Sequence, residues 1–324
     1  MRVLVTGGSG YIGAHVCRML AERGDEPVIV DDFVFGLRHR IAGMPAHELD
    51  LAEPGAATAL AELMRAERVD AVIHLAARKQ VGESVARPLW YHRQNGASLT
   101  AVLEAMIATG VRDLVFSSSA AVYGDAAGVV GEDAPTVPVN PYGESKLAGE
   151  WLAAAAARAH GLRVTSLRYF NVAGAGWPEL ADTAVLNLVP MVLAELDEGG
   201  APLIFGDDYP TPDGTCVRDF VHVHDLADAH LAVLAALPAQ AEPHRVYNVG
   251  TGVGSSVREV VEGIRRRLSD APAAVIRPRR PGDPAAVVAD VSRIAADLGW
   301  RARFGLDAIL DSVLDARRYR SGAG

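Results

Sequence analysis

The stretch RVLVTGGSGYIG, residues 2–13, decides the fold. Its first five residues, rich in valine, form an unbroken run that predicts a fully buried strand. Gly7, Gly10 and Gly13 follow at once, and Ile12, Val16, Met19 and Leu20 then recur at helical spacing. Glycine suits such a turn for three reasons. It takes positive φ, it lets a pyrophosphate approach closely, and it lets the helix pack against the strand. The free N–H groups and positive dipole end of that helix favour an anion.

Glycines at this spacing also occur in turns that bind nothing, so the surroundings matter. The strand PVIVDD (27–32) follows and ends in Asp31, close to the spacing of about 20 residues at which a carboxylate meets an adenine ribose. A carboxylate there favours a free 2′-hydroxyl, hence NAD over NADP. Asp50, after a weak strand at 47–50, is a second candidate near the adenine.

The alternation continues down the chain. AATALAELMRAE (56–67) predicts a helix, VDAVIHLAA (69–77) a strand, 88–109 a helix and DLVFSSS (113–119) a strand. A helix starts near Tyr142, and RVTSLRYF (163–170) is a further strand. Strands alternating with helices imply βαβ units and a parallel sheet covered on both faces. The second half is less regular. FVHVHDLADAHLAVLAAL (220–237) predicts a short strand and then a helix, with Asp225 as its expected N-cap. The expected fold class is α/β: a Rossmann-type doubly wound parallel sheet with a smaller, discontinuous α/β substrate-binding domain. Residues 1–172 plus about 217–247 are assigned to the first, and 173–216 plus about 248–324 to the second.

Composition narrows the function. Of 324 residues, 50% are hydrophobic and 22% charged, an ordinary globular balance. The net charge of −9 disfavours nucleic acid as a partner. Only two cysteines occur, Cys17 and Cys216, which give no disulfide framework or zinc pattern and fit a reducing cytoplasm. MRVLVTGG runs straight into a strand and turn, so no signal peptide is expected, and no apolar run is long enough to span a membrane. His222, His224 and Asp225 look superficially like metal ligands, but no further ligands stand at useful spacing, and no metal is expected.

The chemistry centres on PYGESK, residues 141–146, which places Tyr142 and Lys146 on one helix face. Alone, such a pair is common on solvated helices. Here Pro141 fixes the chain's entry into the helix, and the preceding strand ends in Ser117, Ser118 and Ser119. Ligands of open parallel sheets bind beyond the carboxyl ends of the strands, so both elements should face the nicotinamide end of a dinucleotide. A lysine cation and the positive nicotinamide would favour a tyrosinate, whose ordinary pKa is about 10. That base could take a hydroxyl proton as hydride leaves the same carbon. Ser119 is the expected orienting hydroxyl, with Ser118 in reserve.

TGGSGYIG, SSSAAVYG, PYGESK, RYFNVAGA and FGDDYPTPDGTCVRDFVHVHDLADAH together resemble the extended short-chain dehydrogenase/reductases. Within them the chain looks most like UDP-glucose (UDP-galactose) 4-epimerases, from residue 1 to about 300. The resemblance implies Ser119, Tyr142 and Lys146 as the catalytic triad. It implies an NAD site built from Gly7, Gly10, Tyr11, Ile12, Gly13, Asp31, Asp32, Asp50, Leu51, Leu75, Ala76, Ala77, Lys79, Asn95, Ser117, Tyr142, Lys146 and Tyr169. For the UDP-sugar it implies Lys79, Ser119, Ala120, Ala121, Tyr142, Asn171, Asn187, Leu188, Leu203, Phe205 and Val253. Arg218 and Arg280 would clamp the diphosphate, with Asp283 on ribose and Val287 gating the sugar. Arginine's fixed charge and fork geometry suit the clamp. Outside that pattern, Arg218 would pair with Asp219 or Asp225.

Ala120 and Ala121 stand where related dehydratases and decarboxylases carry an acid, which points to epimerisation. Gln94, Ser98 and Asp32 depart from the family pattern, with Asp32 replacing a usual asparagine. Valine at 287, where more restrictive members carry tyrosine, leaves room for N-acetylated sugars. A one-way sugar-nucleotide dehydrogenase or reductase and a non-catalytic NAD sensor are the alternatives. A homodimer through the helices around 88–109 and 142–160 is implied by resemblance alone.

Overall fold

A computed structural model describes residues 1–280 and 282–322. Seven parallel strands form its main sheet, in the order His244–Val249, Arg163–Tyr169, Asp113–Ser117, Ala71–His74, Arg2–Thr6, Glu26–Asp31 and Ala46–Glu48. The strand order reverses beside Arg2–Thr6, so a crevice opens beyond its carboxyl end, where the glycine turn stands.

The strands bury both faces because their side chains alternate. Val3, Val5, Ile29, Ile73, Val115 and Leu167 meet one helical layer, which includes Tyr11–Glu22 and Val223–Ala236. Leu4, Val28, Val30, Val72, Leu114 and Val164 meet the other, formed by Ala56–Ala66, Pro88–Thr109 and Pro141–His160. Cys17 is fully buried in the first layer, as its apolar setting predicts.

A second sheet contains Gly254–Ser256, Val217–His222, Ala286–Ala289 and Gly128–Val130, with Asn171–Ala173 alongside Val217–His222. Helices Leu188–Asp197, Val257–Arg266 and Leu306–Arg320 close a separate core around Ile204, Phe220, Val261 and Ile309. The sequence pattern assigns 217–247 to the first domain; the structure divides that segment. Strand Val217–His222 builds the second sheet, the following helix packs against Tyr11–Glu22, and the strand His244–Val249 joins the main sheet. Asp219 is one anchor of strand Val217–His222. Its fully buried carboxylate accepts from the N–H groups of Thr251, Gly252 and Ala289 and from the Thr251 hydroxyl, fastening this strand to its new neighbours.

Helix capping also differs from expectation at one place. His222, not Asp225, caps Val223–Ala236, with Nδ1 accepting from His224 N at 3.0 Å. Asp225 instead accepts from the N–H groups of Arg303 and Phe304, 2.9 Å each, and so anchors the approach to the last helix. His222 ends a strand and His224 begins a helix, so the two rings do not share a strand face.

Candidate active site

The glycine turn has the geometry its sequence demands. Gly7 has φ of 71° and donates to Val30 O at 2.8 Å; a Cβ there would fall 2.7 Å from Ala76 N. A Cβ on Gly13 would fall 2.2 Å from Gly7 O, so only glycine lets the helix begin against the turn. Gly10 caps that helix without a side chain, and no acid occupies its first turn. The amide ends are left for an outside acceptor. Asp31 is buried at the strand end. Its two carboxylate oxygens accept from Ser9 N at 3.0 Å and Phe33 N at 2.9 Å.

These groups line a cavity of about 500 Å³, within the range of cofactor and small-ligand sites. Its walls hold Gly7, Gly10, Tyr11, Ile12 and Gly13 together with Asp31, Asp32, Asp50 and Leu51. Leu75, Ala76, Ala77, Lys79, Asn95 and Tyr169 continue the same surface, and Ser119, Tyr142 and Lys146 close its far end. Asp50 also makes a local turn, accepting from Ala52 N at 2.8 Å. A shape running from an acid-tipped strand, past free helix amides, to a half-buried phenol fits a dinucleotide.

The helix carrying Tyr142 starts where the sequence places it. Asn140 caps it by accepting from Gly143 N at 2.9 Å, and Pro141 occupies its first turn. Lys146 lies one turn on, buried, with Nζ 2.8 Å from Ser117 O and 6.0 Å from the centre of the Tyr142 ring. Burial pulls its pKa down to about 8, against the opposing pull of Glu150. Burial raises the Tyr142 phenol above its usual value, and the Ser119 hydroxyl opposes that rise. Desolvation thus outweighs the Ser119 hydrogen bond, and added positive charge beside the ring would favour the phenolate. A phenol, a hydroxyl and an ammonium around one cavity can together move a proton to or from a substrate hydroxyl.

The three serines separate in space. Ser119 faces the cavity while its Oγ accepts from Ala121 N at 3.1 Å. Ser118, the reserve candidate, is fully buried and donates to Glu150 Oε1 at 2.5 Å, so it is a structural residue. Ser117 Oγ meets His230 Nε2 at 3.1 Å, and its own side chain does not reach the cavity. Glu150 holds Arg168 through both oxygens, at 2.9 and 2.6 Å. Arg78 is a cavity residue that motif reading misses; its charge beside Lys79 in ARKQ was the available signal.

On the substrate side, Ala120, Ala121, Asn171 and Asn187 line the cavity. Leu188 does not; it packs on the smaller core, and Leu186 takes the wall. Arg218 lies outside that wall, donating to Val217 O at 2.9 Å and Pro284 O at 2.8 Å, with Asp283 Oδ1 at 3.4 Å. Its acidic partner is thus neither Asp219 nor Asp225. Arg280 stacks on Phe205, 3.9 Å from the ring centre, beside Leu203 on the same short strand. Val287 pairs in register with Arg218 and packs in one cluster with Ala120, while Val253 is exposed nearby. Among the described residues, no cluster of three or more His, Cys, Asp or Glu is placed to hold a metal ion. Among the described residues, no helix is long and apolar enough to cross a membrane.

A doubly wound parallel sheet, a glycine-lined crevice and a Ser–Tyr–Lys set at its far end define an NAD-dependent short-chain dehydrogenase/reductase type of site. The chain belongs to the NAD dependent epimerase/dehydratase family, which matches residues 3–250. It is 46% identical to a UDP-glucose 4-epimerase of Azospirillum brasilense, over 98% of this chain and 92% of that one. Among solved structures, a UDP-glucose 4-epimerase from Stenotrophomonas maltophila with bound NAD and formylated UDP-arabinopyranose superposes with a TM-score of 0.92. It shares 38% identity and covers all of both chains. The enzyme from Bifidobacterium longum, in complex with NAD+ and UDP, gives 0.89 at 35% identity, again covering all of both chains.

Proposed function

We propose that this protein is an isomerase that inverts C4 of a UDP-hexose, interconverting UDP-glucose and UDP-galactose through a transient 4-keto sugar. The observation that carries this reading is one cavity holding the glycine turn at one end and Ser119, Tyr142 and Lys146 at the other. Alanine at both 120 and 121 supports it further. Elimination of water from the keto sugar needs a nearby acid as proton donor, and neither residue is one.

NAD, when bound, would supply a reversible hydride acceptor for C4 of the sugar. The glycine turn and Asp31 would hold its diphosphate and adenine ribose, and Lys79 and Lys146 the ribose near the nicotinamide. Tyr142 removes the proton from the sugar 4-hydroxyl, with Ser119 orienting that oxygen. Lys146 keeps positive charge beside the phenolate and steadies the turn through Ser117 O. The keto sugar then turns, tethered by its diphosphate to Arg218 and Arg280, and Tyr142 returns the proton. Valine at 287, smaller than a tyrosine, would leave room for an N-acetyl group at the sugar.

The working unit we propose is a homodimer. Helices Pro88–Thr109 and Pro141–His160 pack on each other, and Leu89, Trp151 and Leu152 remain exposed on them. Two unpaired, buried cysteines support a cytoplasmic location.

The test is incubation of purified protein with UDP-galactose and no added cofactor. UDP-glucose should appear, because the cofactor is regenerated each turn. No product even after NAD is supplied would sink the reading, and net accumulation of NADH would favour a one-way dehydrogenase.

A further inference from the structure

We propose that Asp32 and Arg78 form a clasp across the dinucleotide crevice that retains the cofactor between turnovers; this rests on the NAD-dependent reading above. Asp32 follows the strand Glu26–Asp31, and Arg78 follows the strand Ala71–His74. Those strands flank Arg2–Thr6 on either side, and the glycine turn emerges between them. The Arg78 Nη2–Asp32 Oδ2 contact of 2.6 Å therefore links one wall of the crevice to the other. Both residues line the cavity, together with Asp50, Leu51 and the glycine turn.

The pair is built rather than incidental. Its side chains are only 11% and 23% exposed, so it is partly desolvated, unlike ordinary surface pairs of little worth. Arg78 Nε also donates to Gln94 Oε1 at 3.3 Å, and the guanidinium stands 5.5 Å from the ring centre of Phe35 and 5.6 Å from that of Trp90. The Arg78 backbone is held at both polar atoms by the Asn95 side chain, at 2.8 and 3.1 Å. Asn95 donates in turn to Ser145 Oγ at 2.9 Å, and that hydroxyl donates to Tyr142 O at 2.7 Å. One arm of the clasp is thus braced on the helix that carries the Tyr–Lys pair. The other arm is the residue where an uncharged asparagine is expected, and only as aspartate does it supply the charge that Arg78 requires. An enzyme that regenerates its dinucleotide on every cycle needs no exchange with solvent, and slow release serves it.

The experiment is the rate of NAD release from purified holoenzyme, followed by exchange with labelled NAD, for wild type, Arg78→Met, Asp32→Asn and the reversed pair D32R/R78D. Each single variant is expected to release NAD about tenfold faster or more, the scale of a coupled, partly desolvated charge pair. The reversed pair should recover slow release, which a merely structural loss would not produce. Arg78→Lys replaces Arg78→Met if the latter does not fold, with release expected between wild type and Asp32→Asn. Release at the wild-type rate from the single variants, or a reversed pair as fast as they are, overturns the clasp. Wild-type protein that neither carries nor takes up NAD overturns the cofactor reading itself, and that is seen before any variant is measured.

Discussion

The Lys146 ammonium sits 2.8 Å from the carbonyl oxygen of Ser117, buried with it, and 6.0 Å from the centre of the half-buried Tyr142 ring. This ties the end of a parallel strand to the phenol that follows it in the chain. Burial raises the phenol and depresses the ammonium, so a nearby positive charge would favour the phenolate that the proposed proton step uses.

Removing the phenolic oxygen should therefore abolish the proton step and little else. Tyr142→Phe is expected to lower kcat by about 10²–10⁴-fold, the usual worth of a positioned general base. NAD content of the purified variant should match wild type. A variant that loses NAD in proportion to activity would mean that the tyrosine acts in binding.

Lys146 should cost the fold what it gives the chemistry. Its folded pKa of about 8 lies below the 10.5 of a free lysine. Between those values the unfolded chain binds more protons, so wild-type stability rises with pH across that window and is lowest below about 8. Lys146→Met is thus expected to be inactive yet to unfold at higher temperature at pH 7. The advantage should shrink as pH rises from about 8 toward 9.5, which thermal melts of cofactor-free protein will show.

The buried histidines set the opposite edge. Burial holds His15, His222 and His230 down at about 4. The unfolded chain protonates them from about 6.5 downward, so their contribution is complete above that pH and falls away toward 4. The slope is up to about 1.4 kcal/mol per pH unit per histidine. Urea titrations at pH 7, 6 and 5 should give falling stability. Replacing His230, whose Nε2 meets Ser117 Oγ, with an uncharged residue should flatten that slope.

Behind the active site, Arg168 and Glu150 make a two-pronged ion pair whose side chains are almost fully buried. Breaking one half strands the other charge. Glu150→Ala is expected to cost about 3–5 kcal/mol in chemical denaturation, the usual penalty for an orphaned buried partner. A loss under 1 kcal/mol would mean that water reaches Arg168.

What sequence could reveal follows the range of each interaction. The strand–turn–helix at 2–22, the acid ending the second strand and the Tyr–Lys spacing are local patterns, legible from neighbours in the chain. The Ser118–Glu150–Arg168 network, the Asp32–Arg78 pair and the second-sheet position of Val217–His222 are not, because each depends on partners 18 to 70 residues away. His222 as a helix cap was hidden for a related reason. Only the exact end of the strand decides which side chain meets the first free amide.

Val287 offers the sharpest test of substrate range. It pairs with Arg218 across the second sheet and packs on the same apolar cluster as Ala120, the residue after Ser119. A side chain there borders the sugar rather than the cofactor if Arg218 holds the diphosphate. Valine is smaller than the tyrosine of more restrictive relatives, and we propose that the difference admits an acetamido group at C2. The wild-type protein is therefore expected to turn over both UDP-galactose and UDP-GlcNAc. Val287→Tyr should fill that space and remove the second activity, while UDP-galactose turnover survives within about tenfold, since hydrophobic size exclusion acts mainly on the larger ligand. Product analysis with both substrates decides it. Wild-type protein that is fully active on UDP-galactose and inert on UDP-GlcNAc would show that another residue sets the limit.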